Sequence, residues 1–323
     1  MYFDGHSDIW TDVTIRSLNG ERDILRKHHL PRLRKGQIEG SIFVIWIDPP
    51  NDADPAQRCR QIMNAVRQEV QDCDEIAIVK NYSEIEAAKA AGKFYVLIGL
   101  EGLRSIGEDL SKIDMLYDFG ARHAMLSWNE ENALATGVQG TPGRGLTDLG
   151  KKAVRKIIDK HMILDVSHLN DASIWDVLKI AEGPVVSSHA NARALCGASR
   201  NLTDEQLLAI RDTNGVVGLN SFNKFISEEI PDQRVENLVK HAVYIADKIG
   251  PEHLGFGFDF FEFLSTDSMR SYSDQDTSYA QGIEDCTKVP HLVELMKKAG
   301  FSDAELEGIA RENWMRVIKE TLI

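Results

Sequence analysis

The sequence predicts an α/β protein that folds as a single (β/α)8 TIM barrel spanning residues 1–323. Eight short apolar segments alternate with helix-like segments from one end of the chain to the other. Most of the eight are continuous apolar runs, as is typical of parallel strands covered on both faces. No glycine-rich phosphate-binding motif follows any of them, which disfavours the alternative of a doubly wound nucleotide-binding sheet.

The predicted strands share this apolar character and the alternation with helices that favours parallel pairing. They are Tyr2–Ile9, Ser41–Ile47, Phe94–Leu100, Ala121–Trp128, Met162–Ser167, Pro184–Ser188, Gly215–Asn220 and Leu254–Phe258.

The helical segments carry recognisable start and stop signals. Thr203 with Gln206 has the spacing of a capping box, and so does Ser302 with Glu305. Gly250 lies where a predicted helix should end, because glycine readily adopts the left-handed conformation found there.

A polar stretch, Phe261–Thr287, follows the last predicted strand and is rich in Ser, Asp and Tyr. Loops that follow barrel strands overhang the C-terminal face, where active sites of such barrels lie. We interpret residues 261–287 as a lid or specificity loop of an active site. A surface insertion without function is the alternative.

Composition excludes several classes of partner. Hydrophobic residues make up 43% of the chain and charged residues 27%, as in ordinary globular proteins. The net charge of −13 argues against nucleic acid or an anionic membrane as a partner, because both bind basic surfaces. No apolar run approaches the roughly 18 residues of a membrane span.

The cysteines and the N-terminus favour a cytoplasmic protein. The four cysteines are scattered and form no CxxC pair, which disfavours a disulfide framework or a thiolate zinc site. The first residues lack the basic start and the apolar stretch of a signal peptide. We therefore expect reduced thiols and a cytoplasmic location.

Residues able to bind a metal or a proton end five of the eight predicted strands. They are His6 and Asp8 at the end of the first strand, Glu101 after the third, His168 after the fifth, His189 after the sixth and Asp259 after the eighth. The barrel would bring all of them to one mouth. Each alone has an ordinary explanation, such as a strand-end aspartate that caps the next helix. Their recurrence at one level of the barrel favours a site.

The spacing and residue types indicate a metal site. His6 and Asp8 are two residues apart, so on a strand they point to the same face and can hold one cation. Imidazole and carboxylate suit zinc and similar divalent ions. Glu101 has two oxygens and could bridge two metals, leaving His168 and His189 for the second.

Several segments resemble, in the same order, the motifs of the membrane (renal-type) dipeptidase family of metallopeptidases. They are Asp4-Gly5-His6-Ser7-Asp8, Leu100-Glu101-Gly102, Leu164-Asp165-Val166-Ser167-His168, Ser187-Ser188-His189-Ala190, Ser199-Arg200-Asn201-Leu202 and Gly257-Phe258-Asp259-Phe260. The resemblance runs from about residue 3 to residue 318, and the chain is similar to the short, unanchored bacterial members.

The resemblance implies a metal-dependent dipeptidase that cleaves free L-L and possibly L-D dipeptides, using a water shared by two divalent ions, expected to be Zn²⁺. It implies that Asp259 handles the proton and that Arg200 binds the substrate's C-terminal carboxylate. It further implies a possible homodimer. The implied metal ligands are His6 and Asp8 for one ion, His168 and His189 for the other, and Glu101 as the bridge.

One position departs from the family. Members commonly have a histidine just past the fourth strand, where this chain has Trp128, followed by Asn129. Tryptophan donates one hydrogen bond and cannot become cationic. Either a metal or Asn129 takes over the task of steadying the scissile carbonyl, or the substrate differs. Trp128 is equally suited to be a hydrophobic wall of the pocket. A related amidohydrolase acting on another amide or a lactone therefore stays an alternative, and a non-catalytic barrel that binds a small molecule is a more distant one.

Overall fold

The computed structural model describes residues 1–264 and 279–323, which contain nine β-strands. They are β1 (Tyr2–Ser7), β2 (Ile38–Trp46), β3 (Ile76–Ile78), β4 (Phe94–Glu101), β5 (Ala121–Met125), β6 (Ile163–Asp165), β7 (Val185–Val186), β8 (Val217–Leu219) and β9 (Leu254–Phe256).

Eight of these strands form a parallel ring. The pairing order β1-β2-β4-β5-β6-β7 is continuous, and β8 pairs with β9. Ser187 bridges Val217 and so joins β7 to β8. The ring closes where the Asp4 carboxylate accepts the Phe258 N–H at 2.9 Å, linking β1 to the end of β9. The predicted α/β barrel is confirmed.

The strand prediction missed β3 and extended several strands too far. β3 pairs in parallel with the first half of β4 and lies outside the ring of eight. The apolar runs continue past the hydrogen-bonded ladders because the turns that follow them are also buried. Thus Pro184–Ser188 contains only the two-residue strand β7, although Ser187 and Ser188 are fully buried.

Helices connect and cover the strands. In the described residues the α-helices are Ile9–Leu18, Leu30–Lys35, Pro55–Asp72, Tyr82–Ala90, Ser111–Phe119, Asp148–Asp159, Asp171–Ile180, Asp204–Asp212, Asn223–Ile226, Val235–Ile249, Val289–Lys298, Asp303–Glu307 and Asn313–Thr321. None of these helices is long and apolar enough to cross a membrane.

Local signals placed the helix ends correctly. Thr203 and Gln206 form the predicted capping box, and Ser302 and Glu305 form the second one. Gly250 follows the helix Val235–Ile249 with a φ of +89°, a conformation that glycine adopts without strain.

Aromatic side chains fill the N-terminal end of the barrel. Phe3 and Tyr95, near the starts of β1 and β4, stack with ring centroids 5.9 Å apart. Trp314 is fully buried and donates its indole N–H to the Phe256 carbonyl at 2.9 Å. This end is packed, so the opposite end holds the site.

The predicted loop at 261–287 falls partly on residues 265–278, which lie outside the described residues. Its described ends meet, because the rings of Phe261 and Tyr279 stack with centroids 5.2 Å apart. Glu262 forms an ion pair with Arg32 on the helix Leu30–Lys35. Both ends are therefore attached to the barrel.

Candidate metal centre

Four of the predicted site residues surround the imidazole of His6 at the C-terminal end of the barrel. Its Nε2 lies 3.5 Å from a Glu101 oxygen, 3.7 Å from an Asp259 oxygen and 3.9 Å from an Asp8 oxygen. The His6 and His189 rings lie 3.9 Å apart between centroids. The side chains of His6, Asp8 and Glu101 are buried.

Glu101 stands between two groups of histidines. Its Oε2 faces His6, while its Oε1 lies 2.8 Å from the Nε2 of His168. The Nε2 of His168 is also 2.8 Å from the Nε2 of His189. This is the arrangement that a bridging carboxylate requires.

Two sets of potential ligand atoms each lie within 4.8 Å of one another, and they share His6. One set is His6, Glu101 and His189, and the other is His6, Asp8 and Asp259. These sets contain five residues, and His168 joins them through its contacts with Glu101 and His189, so the structure brings together all six residues that the sequence placed at strand ends.

Hydrogen bonding shows that these residues fit a cation. Asn129 Oδ1 lies 2.8 Å from His168 Nδ1, so that nitrogen must donate and Nε2 carries a lone pair. This lone pair points at the Glu101 carboxylate and at His189. The lone pair of His168 and the Glu101 carboxylate repel each other unless a proton or a metal cation lies between them.

Further buried atoms in the cluster lack hydrogen-bond partners among the described residues. They are both ring nitrogens of His6, Oδ1 of Asp8 and Oε2 of Glu101. Buried polar atoms are rarely left unsatisfied in folded proteins. Metal coordination would satisfy this donor set of nitrogen and carboxylate oxygen.

The protonation states of His168 and His189 suit ligation. Burial, followed by the charges of Arg200 and His6, lowers the pKa of His168 well below its usual value. Burial and the same two charges also lower the pKa of His189 well below the usual value. Both imidazoles are therefore neutral, which is the form that binds metal.

The pKa values of two carboxylates in the cluster, Glu101 and Asp259, are raised instead. Burial, reinforced by the charge of Asp8, raises the pKa of Glu101 to about 8. Burial also raises the pKa of Asp259 to about 6. A bound cation would replace the protons that this crowded set of acids otherwise favours.

The turns that present these side chains have unusual backbones. His168 has a φ of +70° and Asp259 a φ of +59°, in the left-handed region that residues other than glycine seldom adopt. Gly102, directly after Glu101, has a φ of +81°, and a Cβ there would lie 2.8 Å from the Trp128 backbone nitrogen. Such conformations concentrate at functional sites.

Arg200 lies beside the centre in a buried position. Its Nη2 donates to the His189 carbonyl at 3.5 Å, and its guanidinium lies 5.5 Å from the centre of the Phe225 ring. The charge of Arg200 helps to lower the pKa of His168 and opposes the rise in the pKa of Asp259. A cation at this distance can pair with an anionic group of a substrate.

Trp128 and Asn129 contact the same histidine. The ring of Trp128 lies 5.8 Å from that of His168 and 5.4 Å from that of Trp46, between centroids. This position matches a wall of the site. Asn129 uses its Oδ1 on His168, so its predicted contact with substrate stays a prediction.

Three buried polar residues near the centre were not assigned a role from the sequence. Asp4 accepts the N–H groups of Phe258 and His6, at 2.9 and 3.4 Å. His123 and Asp165 form a fully buried pair. The sequence does contain a signal that could have found them. Each is an ionisable residue inside an apolar strand, and such residues are rarely buried unless they are paired.

The family described as membrane dipeptidase, peptidase family M19, matches residues 1–322. The chain belongs to this family. The predicted recognition, metallo-dipeptidase activity and hydrolase class are thereby confirmed, and the metal dependence is a property of the family.

Relatives of the chain agree with this membership. An uncharacterised protein of Klebsiella pneumoniae is 30% identical over 73% of this chain and 86% of its own length. An uncharacterised dipeptidase of Schizosaccharomyces pombe is 28% identical over 98% of this chain and 80% of its own length.

Solved structures share the whole fold. A metallopeptidase of family M19, named dipeptidase AC, superimposes with a TM-score of 0.85 at 26% identity, covering 99% of this chain and 98% of its own. A metallopeptidase from Rhodobacter sphaeroides, liganded with a phosphinate mimic of the dipeptide L-Ala-D-Ala, gives a TM-score of 0.86 at 24% identity, covering 99% of both chains.

Proposed function

We propose that this dipeptidase works with two divalent metal ions, expected to be Zn²⁺, held by the residues at the strand ends. The observation that carries the proposal is Glu101, whose two oxygens face His6 on one side and His168 on the other. His6 and Asp8 would hold one ion, and His168 with His189 the other. When bound, the ions lower the pKa of a shared water and polarise the scissile carbonyl.

Asp259 would accept and return the proton. Its Oδ2 accepts from the Asn220 amide at 3.3 Å, and its Oδ1 faces His6. Burial raises the pKa of Asp259 to about 6, closer to neutral pH than an ordinary carboxyl. A carboxylate at this position can take a proton from water and give it to the leaving amine.

Arg200 would bind the C-terminal carboxylate of the dipeptide. Its guanidinium is buried beside His189, and a planar fork of N–H donors matches a carboxylate. A free carboxylate at a fixed distance from the metals limits the substrate to two residues. This is the physical basis for proposing dipeptides over longer peptides.

A cytoplasmic location and a homodimer stay predictions. The four cysteines are buried thiols in the structure, which suits a reducing compartment. Sedimentation of the purified protein would determine its oligomeric state.

The test is hydrolysis by the zinc-loaded protein of a panel of L-L and L-D dipeptides, with the same protein treated with a chelator as control. We expect chelator-sensitive cleavage of free dipeptides and little cleavage of C-terminally amidated ones. N-acylated amino acids and lactones complete the panel. Cleavage of these alone would replace the dipeptide assignment by the alternative amidohydrolase function, and no turnover at all would favour the binding protein.

A further inference from the structure

A buried histidine–aspartate pair lies directly beneath the metal centre. The Nε2 of His123 and the Oδ2 of Asp165 are 2.7 Å apart, and both side chains are fully buried. They belong to the neighbouring strands β5 and β6. Burying such a pair seldom stabilises a protein more than apolar residues would. The proposed reaction uses neither residue, so the pair calls for another explanation.

The second oxygen of Asp165 holds the backbone of two other turns. Its Oδ1 accepts the N–H of Ser167 at 2.8 Å and the N–H of Ser188 at 3.1 Å. Ser167 directly precedes His168, and Ser188 directly precedes His189. One carboxylate thus fixes the chain immediately before both imidazoles of the second metal position.

The serine side chains extend this network to the imidazoles. The His189 N–H donates to Ser167 Oγ at 3.3 Å, and Ser188 Oγ lies 2.8 Å from His189 Nδ1. The backbone of His168 adopts a φ of +70°. Such a conformation persists only where surrounding contacts determine it.

Asp165 suits this task because all three of its partners donate. Burial raises the pKa of Asp165, but the hydrogen bond and charge of His123 and the Ser188 and Ser167 donors outweigh it and hold that pKa below its usual value. An ionised carboxylate only accepts hydrogen bonds, so it can serve all three donors at once. An amide of the same shape would point N–H groups at one of them.

We propose that Asp165, held by His123, is a positioning residue that sets the geometry of His168 and His189 and thereby the metal affinity of the position they form. The inference rests on the proposed two-metal function. It differs from the ligand assignment, because Asp165 acts through the backbone and does not touch the metal.

The test compares Asp165→Asn with Asp12→Asn. Asp12 is the matched control, because it forms a buried pair with His29 at 2.8 Å on the helix Ile9–Leu18, away from the Ser167 and Ser188 turns. For each variant, Co²⁺ alone is added to the metal-free protein in competition with a coloured chelator. The visible Co²⁺ spectrum and the thermal unfolding midpoint are recorded alongside.

We expect Asp165→Asn to weaken one of the two Co²⁺ sites about 10- to 100-fold, as loss of a group that orients metal ligands usually does, and to alter the Co²⁺ spectrum. Asp12→Asn should lower the unfolding midpoint and leave the affinity and the spectrum as in the wild type. Wild-type Co²⁺ affinity in folded Asp165→Asn would overturn the proposal, and so would an equal loss in Asp12→Asn.

If Asp165→Asn does not fold, His123→Gln decides the matter, with His29→Gln as its control. Glutamine keeps an N–H donor but removes the rigid imidazole ring that holds Asp165, so a weaker Co²⁺ affinity than in the control supports the proposal. Equal affinity in the two glutamine variants overturns it. Because binding of Co²⁺ alone is measured, this result is independent of whether the wild type cleaves dipeptides.

Discussion

Asp259 and Glu101 are carboxylates of one cluster whose neighbours suit them to different tasks. Glu101 is enclosed between two histidines, with His6 and His168 on its two oxygens. Asp259 meets His6 on one side and the neutral amide of Asn220 on the other. These surroundings support the proposed division of roles, in which Glu101 is a metal ligand and Asp259 accepts the proton.

Asp259→Asn should remove most turnover while metal content is retained. The amide has the shape of the acid but cannot accept the proton, and loss of a general base typically costs about 10²- to 10⁴-fold in rate. Glu101→Gln is the control that should lose metal. Metal analysis and kcat for both variants check this. Full turnover in Asp259→Asn would refute the proton role, and loss of metal would make Asp259 a ligand.

Arg200→Ala should raise KM for free dipeptides about 10- to 100-fold, because a hydrogen bond to a charged group contributes about 1.5–3 kcal/mol. Cleavage of C-terminally amidated analogues should change little. Arg200→Lys, which keeps the charge and loses the fork, should fall between the wild type and Arg200→Ala. Equal losses on free and amidated substrates would contradict a role in carboxylate binding.

At the residue scale, the sequence was most informative where an ionisable residue directly follows an apolar run. His168 and His189 each come after such a run, so their place at the mouth could be predicted. The pairing of His123 with Asp165 could not, because the partners are 42 positions apart and only the register of β5 and β6 brings them together.

Among the elements, the helix Val235–Ile249 holds the segment that carries Arg200. His241 on this helix accepts the Ala192 N–H at its Nδ1, at 3.1 Å, and contacts the Ile226 carbonyl through Nε2 at 2.9 Å. Nδ1 must therefore be unprotonated. Burial, opposed by the Ile226 contact, lowers the pKa of His241 below its usual value.

This gives a pH dependence of stability. The folded-state pKa of His241 lies below its unfolded value of about 6.5. The contribution of the neutral His241 side chain to the free energy of unfolding is therefore complete above about pH 6.5 and is lost as the pH falls below that value. The loss can reach about 1.4 kcal/mol per pH unit. His241→Gln keeps a donor and an acceptor without titrating, so its free energy of unfolding should fall less than that of the wild type between pH 7.5 and 5.5. Identical pH slopes would contradict the prediction.

Element ends differed in how well the sequence predicted them. The capping boxes at Thr203 and Ser302 are contacts between residues three apart, so the local sequence contains both partners. A strand ends where its backbone no longer pairs with a neighbouring strand, which the local sequence does not contain. β7, for example, has only two paired residues. β3 was missed because its three residues become a strand only by pairing with β4.

At the scale of the whole molecule, the ring of strands requires close approach where β7, β8 and β9 end. Cβ atoms added to Gly218 and Gly257 would lie 1.8 and 1.6 Å from the Ser188 carbonyl oxygen. No side chain fits at either position without moving that backbone. Because Ser188 directly precedes His189, the packing of β7 against β8 and β9 and the position of His189, a proposed metal ligand, depend on the same contact.

Gly257→Ala should therefore lower the free energy of unfolding by about 1–3 kcal/mol or more, the usual cost of overpacking, and weaken metal binding as well. Gly183→Ala is the matched control, because nothing lies within 4 Å of its added Cβ, and it should stay within about 0.5 kcal/mol. Denaturant unfolding and metal titration of both variants check this. Wild-type stability in Gly257→Ala would contradict the argument that the Ser188 carbonyl leaves no room for a side chain at this position.

The stacked rings of Phe261 and Tyr279 carry a consequence for how the chain can vary. They hold two points of the backbone, at residues 261 and 279, close together. Closing a longer segment adds entropy cost only logarithmically, about 0.6 kcal/mol for each doubling of length. We therefore expect that the sequence between Phe261 and Tyr279 can be exchanged or lengthened at little cost in stability. If this segment is the specificity loop that the sequence predicts, substrate preference can change in evolution while the strands and the residues at their ends stay the same.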